Sequence, residues 1–205
     1  MTKPPSIRPA TPADMPGVGA MQHACWMHAY KGLLDDAFLS QLSPEGMGMY
    51  HGRHFDAAGK HAAPRMPFFV AEMPGRTNPI VGLVRGGPTR AKSAAGDPVP
   101  PELVSRFPFE LFGIHVAHDL HRSGIGRALV QRFARAALEL GENSLILWVL
   151  SENKPAIAFY ESLGGRPVGN CPLTLGARQY PQTAYAWTTL APFAEGLAPG
   201  ARHTH

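Results

Sequence analysis

Gly124 and Gly126, in the stretch HRSGIG, are the residues whose types and spacing point most directly to chemistry. Without a Cβ they let the backbone turn tightly and let a ligand approach it. Apolar residues then recur at Ile125, Leu129, Phe133, Ala137 and Leu140 and stop at Gly141, which predicts a helix opening at the two glycines. The first-turn amides of a helix have no carbonyl partner within it, and the helix dipole favours an anion there. A phosphate or pyrophosphate is the natural guest; on two glycines alone, a plain tight turn is the alternative. A dinucleotide fingerprint fits poorly, because the third glycine is missing and residues 144–150 hold no acid. A mononucleotide P-loop is excluded, since no Gly-Lys-Ser/Thr follows.

The ten histidines include HVAHDLH, residues 115–121. On a strand running into a loop these rings do not converge, so no metal is expected. An imidazole titrates close to neutrality, which makes His115 and His118 candidate proton acceptors. Cys25 and Cys171 stand far apart with no Cys-x-x-Cys pair, and two free thiols in a reducing compartment are expected.

The elements that position these residues can be read around them. FELFGIHVA, beginning at Phe109, and the unbroken run Leu145–Leu150 predict strands on either side of the helix. Connections this short imply a right-handed crossover and parallel pairing, with ligands beyond the carboxyl ends of the strands. The loop 117–127 and the segment 151–154 lie at those ends. Side chains alternate along a strand, so Glu110, Phe112 and Ile114 share one face and Leu111, Gly113 and His115 the other. Asn153, with Pro155 behind it, can cap the next helix, which Gly164-Gly165 ends.

Upstream, a short strand around Ile7 precedes Thr11, Pro12 and Asp14, a helix-start signature, and then a helix over 18–30. A second helical region over 32–53 breaks at Ser43-Pro44. After a loop over 54–67, FFVAE (68–72) and PIVGLVRGG (79–87) predict an antiparallel hairpin, with Gly82 marking a bulge or a close approach. Residues 88–108 lack periodicity and read as a long connection overhanging the cleft. Downstream, RPVG predicts a strand, residues 171–182 a hairpin turn region, and 183–190 a closing strand. Residues 1–195 are expected to form one domain and 196–205, with His203 and His205, a disordered tail.

HRSGIGRAL, followed after a strand by SENKPAIAFYESLGG, resembles the acetyl-coenzyme A binding core of the GCN5-related N-acetyltransferase (GNAT) superfamily. The family's loop reads Gln/Arg-x-x-Gly-x-Gly/Ala, its next strand leads to an asparagine, and a helix with Phe-Tyr-x-x-x-Gly follows. This chain supplies Gly124 and Gly126, Asn153, and Phe159, Tyr160 and Gly164; His121 departs from Gln/Arg. The likeness is close over 109–169 and looser from Ile7 to Leu190. It implies an α/β (α+β) fold with a mixed, mostly antiparallel sheet, a central parallel pair splayed at the acyl-coenzyme A site, and helices on both faces. It further implies cofactor contacts from Ile114, His115, Val116, His121, Arg122, Ser123, Gly124, Ile125, Gly126, Arg127, Ala128, Asn153, Ala156, Phe159 and Tyr160. Tyr160 corresponds to the family's acid that protonates the departing thiolate, and Glu110 to the position of a glutamate base. Trp26, Tyr30 and Phe38 fall where the family lines its acceptor cleft, although core packing also accounts for aromatic residues at helical spacing.

The chain has 205 residues, 44% of them apolar, which suits one sizeable core. Its net charge of +4 is scattered, so nucleic-acid binding has no pattern behind it. No stretch reaches 18 apolar residues and no signal-like run opens the chain, so a soluble cytoplasmic protein without a membrane partner is expected. The resemblance implies an acetyl-coenzyme A dependent N-acetyltransferase acting on a small-molecule or peptide amine, with a homodimer compatible but no interface marked. The alternative is a non-catalytic acyl-coenzyme A sensor.

Overall fold

The computed structural model describes residues 5–61, 63–93 and 95–195; the expected tail over 196–205 lies outside them. Its strands are β1 (Ser6–Pro9), β2 (Phe68–Glu72), β3 (Ile80–Pro88), β4 (Phe109–Val116), β5 (Leu145–Leu150), β6 (Arg166–Leu175) and β7 (Arg178–Trp187). The helices are α1 (Met15–Ala29), α2 (Asp36–Leu39), α3 (Pro44–Gly52), α4 (Pro101–Arg106), α5 (Ile125–Glu139), α6 (Lys154–Ser162) and α7 (Ala191–Ala194). The strands form one mixed sheet in the order β1-β2-β3-β4-β5-β7-β6, flanked by helices. Its β1–β2, β2–β3, β5–β7 and β6–β7 pairs are antiparallel, and β4–β5 is parallel at Glu110 opposite Ile146. The chain resolves into two compact units: Met1–Gly86 with Gly113–Phe133, and Gly87–Phe112 with Ala134–His205. Strand β4 and helix α5 therefore each contribute to both.

In the first unit, α1 starts from the predicted signature. Thr11 and Asp14 form a capping box behind Pro12, and Asp14 also takes a two-pronged hydrogen bond from Arg8, each prong 2.7 Å. Burial would raise the Asp14 carboxyl's pKa; Arg8 and Thr11 outweigh it and hold the group below the usual carboxylate range. Met15, Val18, Met21 and Cys25 then recur at helical spacing and pack on Phe68, Val70, Ile80 and Leu83 of the hairpin. Gly82 is a close approach: a Cβ there would lie 3.1 Å from the His115 carbonyl. It also borders a bulge: Ala71 pairs with Gly82 and Glu72 with Ile80, which leaves Val81 of β3 as the extra residue.

Glycines inside α1 look unfavourable for a helix until α3 is considered. A Cβ at Gly19 would stand 2.1 Å from the Pro44 carbonyl oxygen and 2.6 Å from the Gly48 nitrogen; one at Gly48 would meet the Met15 carbonyl at 2.7 Å. The two helix backbones touch, and only glycine fits.

In the second unit, two sequence expectations are corrected. Residues 171–182 are not a turn region: β6 runs on to Leu175 and β7 begins at Arg178, leaving the two-residue turn Gly176-Ala177 with Gly176 at φ 60°. Pro172 and Pro181 hid these strands, yet they sit opposite each other, and Pro181 lies one residue past the β5 ladder, which ends at Leu150 opposite Gln182. Likewise 88–108 contains α4. Leu103 on α4 and Val99 and Phe107 on either side of it are buried, a spacing of four that the surrounding prolines obscured, and Leu103 fills the space over Gly169. Polar ties fasten the same segment. Asp97 accepts from the Thr174 amide (2.7 Å) and hydroxyl (2.6 Å), and the Thr89 amide donates to the Pro108 carbonyl (3.0 Å).

The α1–α3 contact gives a stability prediction. Gly19→Ala gains about 1 kcal/mol of helix propensity. It also drives a methyl group into backbone that cannot yield, at roughly 3 kcal/mol. The urea midpoint should therefore fall; an unchanged or higher midpoint would mean that the helices do not touch there.

Candidate active site

The predicted site residues fall in both units, and each group is described within its own. In the first unit, β4 ends at Val116 and a turn of 3₁₀ helix, His118–Leu120, leads into HRSGIG. Gly124 stands at φ 88° and nothing lies within 4 Å of where its Cβ would be. Arg122 is at φ 63°, the one positive φ among non-glycine residues described. A side chain in that conformation costs roughly 1–2 kcal/mol. Such strain persists where the surroundings impose it, and a ligand-binding turn is such a place.

Helix α5 begins at Ile125, and the Ala128 amide bonds back to the Gly124 carbonyl at 3.0 Å. The amides of Ile125, Gly126 and Arg127 therefore precede the helical ladder. Asp119 is the negative charge in this loop, and Arg76 pairs with it at 2.7 Å. That hydrogen bond, more than any other cause, holds Asp119 below the ordinary carboxylate range. His121, in place of the family's Gln or Arg, donates from Nε2 to the Val116 carbonyl (3.0 Å), which the Cys25 thiol also approaches (3.2 Å).

Trp26, Tyr30 and His115 meet near the end of β4. Trp26 packs edge-to-face on Tyr30, ring centroids 4.8 Å apart, and lies 6.5 Å from the His115 ring. Phe38 is half-buried on the short α2. His115 contacts Gln22 of α1 at 3.3 Å, and Gln22 in turn contacts the buried His51 of α3 at 2.6 Å. Burial chiefly, then Arg85, pushes the His115 pKa down to about 4; burial chiefly, then Arg85, His115 and His54, pushes His51 down to about 3. Gln22 and His51 were not among the expected site residues. The i, i+4 spacing of Gln22 and Trp26 was the available signal, since it puts them on one helix face.

In the second unit, Asn153 caps α6 as expected, its side chain accepting from the Ala156 amide at 3.2 Å. Tyr160 is 8% exposed on α6 and meets Trp187 edge-on at 6.4 Å. Gly164, at φ 84°, ends the helix. Gly165 keeps its place because a Cβ would strike both Trp187 and the Tyr160 carbonyl.

Glu110 is 1% exposed. Its Oε2 accepts from the Arg90 amide (3.0 Å) and Nε (3.2 Å), and its Oε1 accepts from Arg90 Nη2. The guanidinium also lies 4.3 Å over the Phe112 ring, so Glu110 and Phe112 share a face as alternation requires. These three hydrogen bonds from Arg90 take most of the acceptor capacity that a general base would offer to a substrate. Arg90 had no local sequence signal.

Both cysteines are free and buried. Burial chiefly pushes each thiol up to about 11, aided by Asp119 at Cys25 and by Asp97 and Glu110 at Cys171. Neither forms the thiolate that a nucleophile requires. Among the described residues, no three His, Cys, Asp or Glu side chains are grouped to hold a metal.

Known proteins share this fold. YuaI of Bacillus subtilis, an uncharacterized N-acetyltransferase, is 21% identical over 91% of this chain and 94% of its own length. The PaiA N-acetyltransferase of Thermoplasma acidophilum, solved with coenzyme A, superposes with a TM-score of 0.64 at 14% identity, covering 88% of this chain and 98% of that one. YncA of Salmonella typhimurium, solved with acetyl-coenzyme A, gives 0.62 at 18% identity, covering 98% and 100%. At these identities the structures show the fold. The model of the acetyltransferase (GNAT) family matches residues 28–165, more than half of the chain. With the HRSGIG turn opening α5, Asn153 capping α6 and β4 parallel to β5, this match shows that the chain belongs to the acetyltransferase (GNAT) family.

Proposed function

We propose that the chain is an N-acetyltransferase that moves an acetyl group from acetyl-coenzyme A to a primary amine, of a small molecule or a peptide, by direct attack in a ternary complex. The observation that carries this reading is the turn before α5. Open space over Gly124, amides ahead of the helical ladder, and a loop acid already neutralised by Arg76 together suit a pyrophosphate. The solved relatives that hold coenzyme A or acetyl-coenzyme A support the choice of cofactor.

The residues fit the cofactor, which when bound supplies the activated acyl thioester. In this reading the amides of Ile125, Gly126 and Arg127 hold the pyrophosphate, with Arg122 and Arg127 adding positive charge. The backbone of Ile114 to Val116 aligns the acyl arm, and Trp26 and Tyr30 line the acceptor's path. The amine nitrogen forms a bond to the acyl carbon as the carbon–sulfur bond breaks. Tyr160 donates its phenolic proton to the departing sulfur. The amine's proton leaves to water, because Arg90 engages both oxygens of Glu110.

Thiol release from acetyl-coenzyme A across a panel of small amines and peptides, with cofactor binding followed by calorimetry, tests the reading. Binding with acceptor-dependent release is expected; binding without release across the panel would turn the reading to a non-catalytic acyl-coenzyme A sensor. Three variants refine it. Tyr160→Phe should lower kcat by about 100-fold or more with cofactor affinity unchanged; equal turnover would remove the acid role. Arg122→Gly should raise stability by about 1 kcal/mol through relief of strain, yet weaken cofactor binding roughly fivefold. Glu110→Gln should cost about 3 kcal/mol of stability by leaving Arg90 poorly paired and leave the pH profile of kcat in place. A lost alkaline plateau would instead make Glu110 the base.

A further inference from the structure

Three polar side chains from three elements of the first unit are linked in a line: His51 of α3, Gln22 of α1 and His115 of β4. His51 Nε2 lies 2.6 Å from Gln22 Oε1, and Gln22 Nε2 lies 3.3 Å from His115 Nε2. His51 is 1% exposed, and its other ring nitrogen, Nδ1, is buried with no hydrogen-bond partner among the described residues.

That orphaned nitrogen determines where every proton in the line sits. A buried N–H without an acceptor, or a buried imidazolium, costs more than a bare lone pair. Nδ1 of His51 is therefore the unprotonated nitrogen, and Nε2 carries the proton and donates it. Its acceptor must be the Gln22 carbonyl oxygen, which settles the orientation of the amide. The NH₂ group of Gln22 then faces His115, so His115 Nε2 must accept. The His115 proton consequently sits on Nδ1.

We propose that Gln22 and His51 are positioning residues that keep His115 neutral and lock it in the Nδ1–H tautomer, so that it serves bound acceptor as a hydrogen-bond donor and not as a base. Protonation at Nε2 would set an N–H against the Gln22 NH₂ group, and the amide cannot rotate away without placing its own N–H against the His51 N–H. The elements packed around the line add titratable or charged groups: Arg85 from β3, Tyr50 from α3, His54 just beyond it, and Cys25 and Tyr30 from α1. Arg85 opposes charge on both His115 and His51, and His54 opposes it on His51. The lowered values of these two histidines agree with the geometry. Their sign follows: the folded form resists protonation, so stability is full above about pH 6.5, the unfolded value, and declines as the pH falls toward about 4.

The proton assignment stands on the chain alone, and its meaning for turnover rests on the acetyltransferase reading. Imidazole ¹⁵N spectra of the full-length protein at pH 7 test the first. The expected result is His115 protonated on Nδ1, His51 on Nε2, and neither titrating between pH 5.5 and 8. His115 protonated on Nε2, or titrating near its ordinary value, would overturn the proposal. In Gln22→Glu a carboxylate accepts from both rings, so His115 should become a cation whose pKa rises by about one unit or more. The pH profile of thiol release should then gain an ionisation near neutrality that the unaltered protein lacks. An unaltered profile alongside a charged His115 would remove His115 from turnover, and if no acceptor releases thiol at all the acetyltransferase reading fails while the spectra still decide the tautomers.

Discussion

A carboxylate buried in a sheet strand must be met by a cation and by N–H donors, or it costs several kcal/mol. Glu110 imposes that constraint on the second unit, and Arg90 answers it with its amide, its Nε and its Nη2. Arg90 can do so only if the chain leaving β3 turns back beside β4. Thr89 bonds to Pro108 and Asp97 grips Thr174, while Val99, Leu103 and Phe107 bury their side chains beneath. A connection that would otherwise be a loose excursion becomes a fastened strap because one acid on β4 cannot stay alone.

The two halves of β4 satisfy buried polarity by opposite means. Glu110 in the first half is ionised and paired. His115 near the other end belongs to a line of groups in which each ring stays neutral, because the last nitrogen of the line has no hydrogen-bond partner among the described residues. Charge pairing fixes a segment of backbone, and neutrality fixes a tautomer. The first device lies in the second unit and the other in the first.

How much of this was legible in the sequence depends on range. The β4–α5–β5–α6 succession was readable because each element carries its own local signal: apolar runs, helical periodicity, Gly124 and Gly141 at the turns, and Asn153 ahead of Pro155. The hairpin of β6 and β7 was read, but the inner halves of its strands and α4 were missed, because prolines suppress propensity whether or not their missing N–H is needed, and here it is not needed. Gln22 had only its i, i+4 spacing from Trp26 to mark it, and the partnerships of Gln22, His51 and Arg90 were hidden for a different reason. Gln22 and His115 are 93 residues apart in sequence, and a hydrogen bond of that span leaves no period or motif behind. Alternation along β4 correctly put Glu110 on the face of Phe112, but nothing local announced that Arg90 would pair with it.

The prolines that obscured the outer strands have a use of their own. In the order β1-β2-β3-β4-β5-β7-β6, the border strands among the described residues are β1 and β6. A free strand edge is a template on which another chain can add itself, N–H to carbonyl. Strand β6 contains Pro167 and Pro172, and β1 is only four residues long and ends in Pro9. Each border thus lacks donors that an incoming strand would need, and neither offers a long uninterrupted register. By length and by proline content, both borders are poor templates for an added strand.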